Sequence, residues 1–296
     1  MWTRRSALAG AVALAGCKVQ VDLPPPAPVP LRPDPRFAEI EARTGGRLGI
    51  YALNTADGAV LSHRGEERFA MCSTFKWLLA AGVLYSAARG GLQLSDRVLF
   101  NAGDIVPYSP RVEANLARGW MSVEELCEAA VTLSDNAAAN LLLVGMMGPA
   151  GLTQFLRNSG DGVTRLDRTE PALNENLLGD VRDTTTPSAM AHALRRFLTT
   201  DEVMNAAARE RLIAWMEASP TGRERLRAGL PAGWRAGDKT GTATGANNAA
   251  NDVMIVWPPR RAPIIVACYL SHASAPMEAR NAAHAEVARI VAADWG

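Results

Sequence analysis

The sequence predicts an α/β two-lobe (α+β) chain: a five-stranded antiparallel sheet flanked by helices, with an all-helical lobe inserted beside it. Three observations carry this. Residues 47–54 and 59–63 read as two strands joined by a turn at Asp57-Gly58. Residues 234–242, 252–257 and 264–270 are β-like again, near the other end of the chain. Between these groups the periodicity is helical throughout, so the sheet draws its strands from both ends and the helical block is an insertion.

Taken in order, a short helix is expected at 37–44, before the first strand. From Ser73 the pattern becomes helical, and residues 73–88 are apolar on every side, which marks a central buried helix. Gly90-Gly91 ends it. Helical patterns follow at 122–134, 136–147, 151–158, 187–198 and 201–218. Thr184-Thr185-Thr186-Pro187 supplies an N-cap with proline at the first helical position. An amphipathic helix is expected at 277–292. The sheet lobe is therefore assigned to 36–65 and 219–296, and the helical lobe to 66–218.

Ahead of the folded region stands a targeting pattern. Arg4 and Arg5 precede an apolar stretch, 7–15, that is too short to span a bilayer. Leu14-Ala15-Gly16-Cys17 has the order of a bacterial lipobox, which makes 1–16 a signal peptide and Cys17 a lipidation site. A plain cleaved signal peptide with an incidental Cys17 is the alternative. Thr3-Arg4-Arg5 followed by Leu8 also loosely fits a twin-arginine signal, so the export route stays open. The proline density of the segment 17–35 favours an extended tether. The expected location is periplasmic, with membrane contact only through a lipid anchor.

Composition is that of a globular protein: 48% hydrophobic, 21% charged, net charge +1. With no basic run and no zinc-finger spacing, nucleic acid is not an expected partner. Cys72, Cys127 and Cys268 lie far apart in apolar surroundings, which suits buried thiols rather than a disulfide framework. His63, His192, His272 and His284 form no zinc spacing, and no cofactor is expected.

Of the 31 basic residues only three are lysine, and two of these stand in motifs that carry chemistry. Lysine can lose its proton when desolvated, whereas arginine effectively cannot. Lys76 closes Ser73-Thr74-Phe75-Lys76. Positions i and i+3 share a helix face, so the amine reaches a hydroxyl that needs a base to become a nucleophile. An ordinary helix start with a surface lysine is the bland alternative, weakened by Trp77-Leu78-Leu79. Ser134-Asp135-Asn136 offers a proton-carrying hydroxyl and an amide able to hold a substrate carbonyl; taken alone it is as good an N-cap. Lys239-Thr240-Gly241-Thr242 reads as strand. Lys239 and Thr240 suit a carboxylate, and Gly241 permits a ligand to approach the backbone. The N–H groups of Thr242 and Ser73 could form an oxyanion hole, each donor contributing about 3 kcal/mol. The alternative is an edge strand with incidental polar residues.

Together and in this order, the three motifs resemble those of the class A serine β-lactamases, within the penicillin-recognising serine enzymes. The resemblance runs from about Phe37 to the end of the chain. Arg165-Leu166-Asp167-Arg168-Thr169-Glu170-Pro171-Ala172-Leu173-Asn174, continuing to Arg182-Asp183, resembles the Ω-loop of that family. The resemblance implies that Glu170 and Asn174 hold the hydrolytic water, with Glu170 as general base worth roughly 10²–10⁴ in rate. It implies a salt bridge between Arg168 and Asp183, and a cis peptide at Glu170-Pro171. It places Tyr108 beside the substrate entrance and Arg225 as an assistant to Lys239 in carboxylate binding.

The reaction implied has two acyl transfers. Ser73 attacks the β-lactam carbonyl of a penicillin or cephalosporin, its proton going to Lys76, or to Glu170 through water. Ser134 passes a proton to the ring nitrogen, and water activated by Glu170 releases the product. β-Lactam antibiotics and β-lactamase inhibitors are the implied partners, antibiotic resistance the implied outcome, and a monomer the expected state. A D,D-peptidase or a non-hydrolysing penicillin-binding sensor shares the short motifs, but the Glu170/Asn174 loop weighs against both. Two disulfides found in some relatives are not expected, because Cys72 faces Ala243 and Cys127 faces Ala80. Thr169 stands where many members carry tryptophan.

Overall fold

Asp34 begins the fold: its carboxylate accepts the backbone N–H of Arg36 and caps helix α1 (Pro35–Thr44), with proline in the first turn. The structure is a computed structural model that describes residues 34–296, so the signal segment, Cys17 and the tether up to residue 33 lie outside the described residues. Asp34 and Pro35, expected to end the tether, belong to the helix and its cap.

Left-handed Gly45 closes α1 and leads into β1 (Arg47–Asn54) and β2 (Val60–His63). A two-residue strand, β3 (Phe69–Ala70), precedes a 3₁₀ turn at Cys72–Thr74 and the central helix α2 (Phe75–Ala88). The inserted block continues with β4 (Arg97–Leu99), α3 (Pro110–Ala114), β5 (Trp120–Ser122), α4 (Val123–Thr132), α5 (Asn136–Gly145) and α6 (Gly148–Asn158). After the loop carrying Glu170 come β6 (Thr184–Thr185), α7 (Pro187–Thr199) and α8 (Ala206–Ala218). The chain then returns to the sheet with β7 (Arg235–Ala243), β8 (Ala249–Trp257) and β9 (Ile264–Ser271), and ends in α9 (Met277–Trp295).

The five-stranded sheet has the order β2-β1-β9-β8-β7 and is antiparallel throughout. Both faces are covered, which is why β8 and β9 are buried along almost their whole length rather than alternately. Ile50, Met254, Val266 and Leu270 pack with Phe37 and Ile40 of α1 and Val287 and Val291 of α9. The residues between them, such as Tyr51, Val253, Ile255 and Tyr269, face the larger core that includes α2 and α7. This is the period-2 alternation of a strand, apolar on both sides. Trp77, Leu78 and Leu79 of α2 are fully buried, as the all-round apolar pattern requires. Phe197 of α7 ties the block together: its ring meets Trp77 and Phe155 edge-on, each at 5.8 Å between centroids.

Several boundaries differ from the sequence reading. Helix α8 begins at Ala206 rather than 201, because Asn205 caps it by accepting from Ala208 N–H. Asp201, also a capping residue type, instead binds Arg209 at 2.7 Å. Strand β8 starts at Ala249, three residues early, where pairing with two neighbours overrides weak local β-propensity. The pairs β3–β6 and β4–β5 are two and three residues long, too short to show a period. The cysteines Cys72, Cys127 and Cys268 are free and buried, and Cys72 packs with Ala243.

Phe197→Ala should cost about 3–5 kcal/mol by removing a buried aromatic side chain. Urea unfolding should show the loss as a lowered midpoint with an unchanged slope.

Candidate active site

Ser73 does not lie in the α-helix proper but in the 3₁₀ turn that feeds it. The spacing argument survives: Lys76 Nζ lies 2.9 Å from Ser73 Oγ. Three distant segments hold this turn. Met71 N–H donates to Asp183 O at 2.9 Å. Asn251 Nδ2 donates to Ala70 O (2.9 Å) and Met71 O (3.2 Å), so β8 fixes the approach to the nucleophile. The third is β7, whose outer edge is unpaired in the sheet and lies against the turn. A Cβ on Gly241 would sit 2.6 Å from Met71 O and 3.1 Å from Thr74 N. The glycine expected to admit a ligand is therefore required for contact between strand and turn.

Lys76 is fully buried and surrounded by oxygen: Ser73 Oγ, Ser134 O at 2.8 Å, Asn136 Oδ1 at 2.5 Å and Glu170 Oε1 at 2.9 Å. Burial pushes its pKa down, and the adjacent Glu170 carboxylate works in the opposite direction. Lys239, also fully buried, donates to Ser134 Oγ at 3.0 Å and to Thr240 O at 2.9 Å. Burial and then the charge of Lys76 bring its pKa down to about 7. The Ser134 hydroxyl thus sits between two amines.

Asp135 positions the Ser134–Asn136 segment. It caps α5 through Ala138 N–H and accepts the N–H groups of Arg111 and Val112, which fixes the segment to the neighbouring loop. Asn136 N–H donates to Tyr108 O at 3.0 Å, and its Nδ2 donates to Pro107 O at 2.8 Å. The Asn136 amide group is engaged on Lys76 and Pro107, leaving one N–H hydrogen for a substrate. Tyr108 itself is exposed.

Glu170 is buried within a loop pinned by Asp183, whose carboxylate accepts the N–H groups of Asp167 and Arg168 and pairs with Arg168 Nε at 2.5 Å. Asn140 clamps Glu170 by its backbone, donating to its O and accepting from its N, each at 2.9 Å. The Glu170-Pro171 peptide is cis. Glu170 Oε1 accepts from Ser73 Oγ at 3.0 Å, a direct contact, while Oε2 accepts from Asn174 Nδ2 at 2.5 Å. Asn174 Oδ1 is buried and has no partner among the described residues.

On the far side, the Thr240 hydroxyl donates to Thr221 Oγ1 at 2.8 Å. Arg225, assigned above to carboxylate binding, is buried beneath the strand. It donates to Gly241 O, Asn251 O, Thr242 Oγ1 and Asn281 Oδ1, with Met277 Sδ at 4.0 Å. Its donors are spent on the protein, so it reaches the cleft only through Thr242.

The structure thus brings Ser73, Lys76, Ser134, Asn136, Glu170, Asn174 and Lys239 into one hydrogen-bonded cluster, with Thr240, Gly241 and Thr242 along its edge. Asn140, Thr221 and the tethering role of Asn251 were missed. Asn140 had a signal: it is four residues after Asn136 and so on the same helix face.

A model of the beta-lactamase enzyme family matches residues 32–295. The chain is 43% identical to beta-lactamase AST-1 of Nocardia asteroides, over 87% of this chain and 82% of the relative. It is 44% identical to the carbapenem-hydrolyzing beta-lactamase KPC of Klebsiella oxytoca, over 79% and 78%. Among solved structures, a class A beta-lactamase reconstructed as the last common ancestor of Gram-negative bacteria is 53% identical, with a TM-score of 0.86 over 88% of this chain and 98% of that one.

Asp183→Ala removes the acceptor for two backbone N–H groups and leaves Arg168 to Glu175 and Asp180 alone. Each N–H left without an acceptor should cost about 1–3 kcal/mol. Limited proteolysis should then cut between Arg168 and Asp183, at protease concentrations that leave the parent intact.

Proposed function

This chain belongs to the beta-lactamase enzyme family, as a class A serine β-lactamase, and from that premise we propose the part each residue of the site plays. The enzyme hydrolyses the β-lactam amide of penicillins and cephalosporins through a serine acyl-enzyme, which confers resistance to them.

The observation that carries the residue assignment is the pair of contacts at one hydroxyl: Ser73 Oγ has an amine at 2.9 Å and a carboxylate at 3.0 Å. Lys76 has five oxygen acceptors for at most three N–H donors, and they hold its ammonium form against the burial that lowers its pKa. Glu170 is then the group that takes the Ser73 proton as Oγ bonds to the lactam carbonyl carbon. The oxyanion that forms lies against the N–H groups of Ser73 and Thr242, at the close approach of turn and strand. When the C–N bond breaks, the ring nitrogen takes a proton from Ser134, Lys76 restores the Ser134 proton, and Lys76 takes back the proton held by Glu170, which leaves the carboxylate free again. The substrate carboxylate is held by Lys239 and Thr240, with Arg225 bracing Thr242 and Asn136 donating to the side-chain amide of the drug. Tyr108 borders the entrance. In the second half, water held by Glu170 and the unpartnered Asn174 Oδ1 adds to the ester carbon. Glu170 takes its proton and passes it to Ser73 Oγ as the ester C–O bond breaks, which restores both groups.

Steady-state hydrolysis of a chromogenic cephalosporin should vanish in Ser73→Ala. Persistence of more than a thousandth of the rate would remove Ser73 from the reaction.

Lys239 sets a pH limit. Its folded pKa is about 7, so the ammonium that attracts the substrate carboxylate is lost as pH rises through that value. The kcat/KM profile of the free enzyme should fall on its alkaline side near pH 7. In Lys239→Arg, which does not titrate there, that limb should move upward or vanish. An identical limb in both proteins would assign it to another group.

The segment 1–17 supports an exported, periplasmic enzyme anchored through Cys17. Labelled palmitate should be incorporated into the parent and not into Cys17→Ala; equal labelling would contradict the anchor. All residues of the site come from one chain, which supports a monomer, and sedimentation at assay concentration should give the single-chain mass.

A further inference from the structure

Leu173 and Asp183 are fully buried, and between them Asn176 alone is buried. Its backbone is left-handed, with φ at 48°. Its amide reaches across to the hairpin that joins β7 to β8, donating to Asn247 O at 3.0 Å and to Asn248 O at 2.9 Å. Both hydrogens of the amide are thereby spent. Among the described residues, no other hydrogen bond links the segment 169–182 to residues 235–257. Leu177, Leu178 and Val181 are exposed, so apolar packing does little to hold the segment after Asn176.

The hairpin is the fixed partner in this junction. Asn248 O also accepts from His272 N–H at 2.8 Å. The Asn248 side chain donates to Ala273 O at 3.1 Å and accepts from Ala273 N–H at 3.0 Å. These bonds tie the hairpin to the end of β9, the central strand of the sheet. The loop that carries Glu170 and Asn174 is thus strapped to the sheet at one residue.

The orientation of the drug decides what lies along that strap. Its carboxylate is assigned to Lys239 and Thr240, and its reacting carbonyl to Thr242. A strand advances about 3.3 Å per residue, so the drug runs along β7 from Lys239 toward the hairpin. The group on its side-chain amide, held by Asn136, continues past Ala243 to residues 244–248. The facing wall is the loop, whose Glu170 touches Ser73. Hairpin and loop are the two sides of one slot, and Asn176 joins them.

We propose that Asn176 is a specificity-determining residue: by strapping the loop to the β7–β8 hairpin it sets the width of the slot for the drug's acyl side chain, favouring slender side chains over those branched at the amide. It acts through the loop and is a positioning residue. The proposal rests on the placement of the drug given above.

Benzylpenicillin and methicillin test it, because they share one ring nucleus and carboxylate. The amide of benzylpenicillin carries a methylene, whereas that of methicillin carries a dimethoxyphenyl ring directly. Asn176→Gly removes both donors, and glycine adopts left-handed backbone without strain. Asn176→Asp keeps the shape but sets a carboxylate against two carbonyl oxygens, and covers the case in which the glycine variant does not fold. In each, kcat/KM for methicillin divided by that for benzylpenicillin should rise at least threefold over the parent. A merely structural role would lower both substrates alike and leave the ratio where it was. A ratio that stays within threefold of the parent in every variant with a parental circular dichroism spectrum, or that falls, would overturn the proposal and leave the cleft assignment standing. Hydrolysis of both penicillins retained in Ser73→Ala would overturn the cleft assignment and the proposal together.

Discussion

A buried ion pair that touches the nucleophile organises this molecule. Lys76 and Glu170 lie 2.9 Å apart with both side chains withdrawn from solvent, and each is within hydrogen-bond distance of Ser73 Oγ. Taking two charges out of water costs several kcal/mol per ion, and their mutual attraction often does no more than offset it. The pair is therefore poor evidence for stability and good evidence for function. Its survival depends on hydrogen-bond partners all round: Ser134 O and Asn136 Oδ1 accept from the amine, and Asn174 Nδ2 donates to the carboxylate.

Much of the remaining architecture serves to bring those groups together from distant parts of the chain. Cys72, Tyr108, Ser134 and Asp183 all have left-handed backbone, and each lies beside the site. Residues other than glycine held in that region typically cost about 1–3 kcal/mol. Tyr108, Ser134 and Asp183 each sit where another segment fixes them. Met71 donates to Asp183 O, Lys76 donates to Ser134 O, and Asn136 donates to Tyr108 O. The edge strand β7 completes the enclosure because Gly241 leaves no Cβ between it and the nucleophile turn. Two amines, both drawn toward neutrality by burial, then share one serine hydroxyl, an arrangement suited to moving a proton.

The sheet was legible because β8 and β9 are buried on both faces and so read as continuous apolar runs. The nucleophile and its neighbours were legible for a chemical reason: in a chain that otherwise uses arginine, lysine remains where an amine must change its charge. Other parts left weaker marks. Asn140 holds Glu170 by both of its backbone groups, yet an asparagine within a helix looks the same whether it faces solvent or a loop. Gly241 was singled out for ligand approach, while its contact with the nucleophile turn left no mark, since a sequence cannot say what stands opposite a missing Cβ. Arg225 looked like a free cation until its donors were followed to Gly241, Asn251, Thr242 and Asn281.

The central claim is that the carboxylate beside Ser73 turns a trapped acyl-enzyme into a catalyst. Intact-protein mass spectrometry of Glu170→Ala mixed with a penicillin tests it most directly. The account requires a stoichiometric adduct, mapped to Ser73, that persists for at least a hundred times the parent's turnover time. Release at the parental rate, or an equally persistent adduct on the unmodified enzyme, would contradict it.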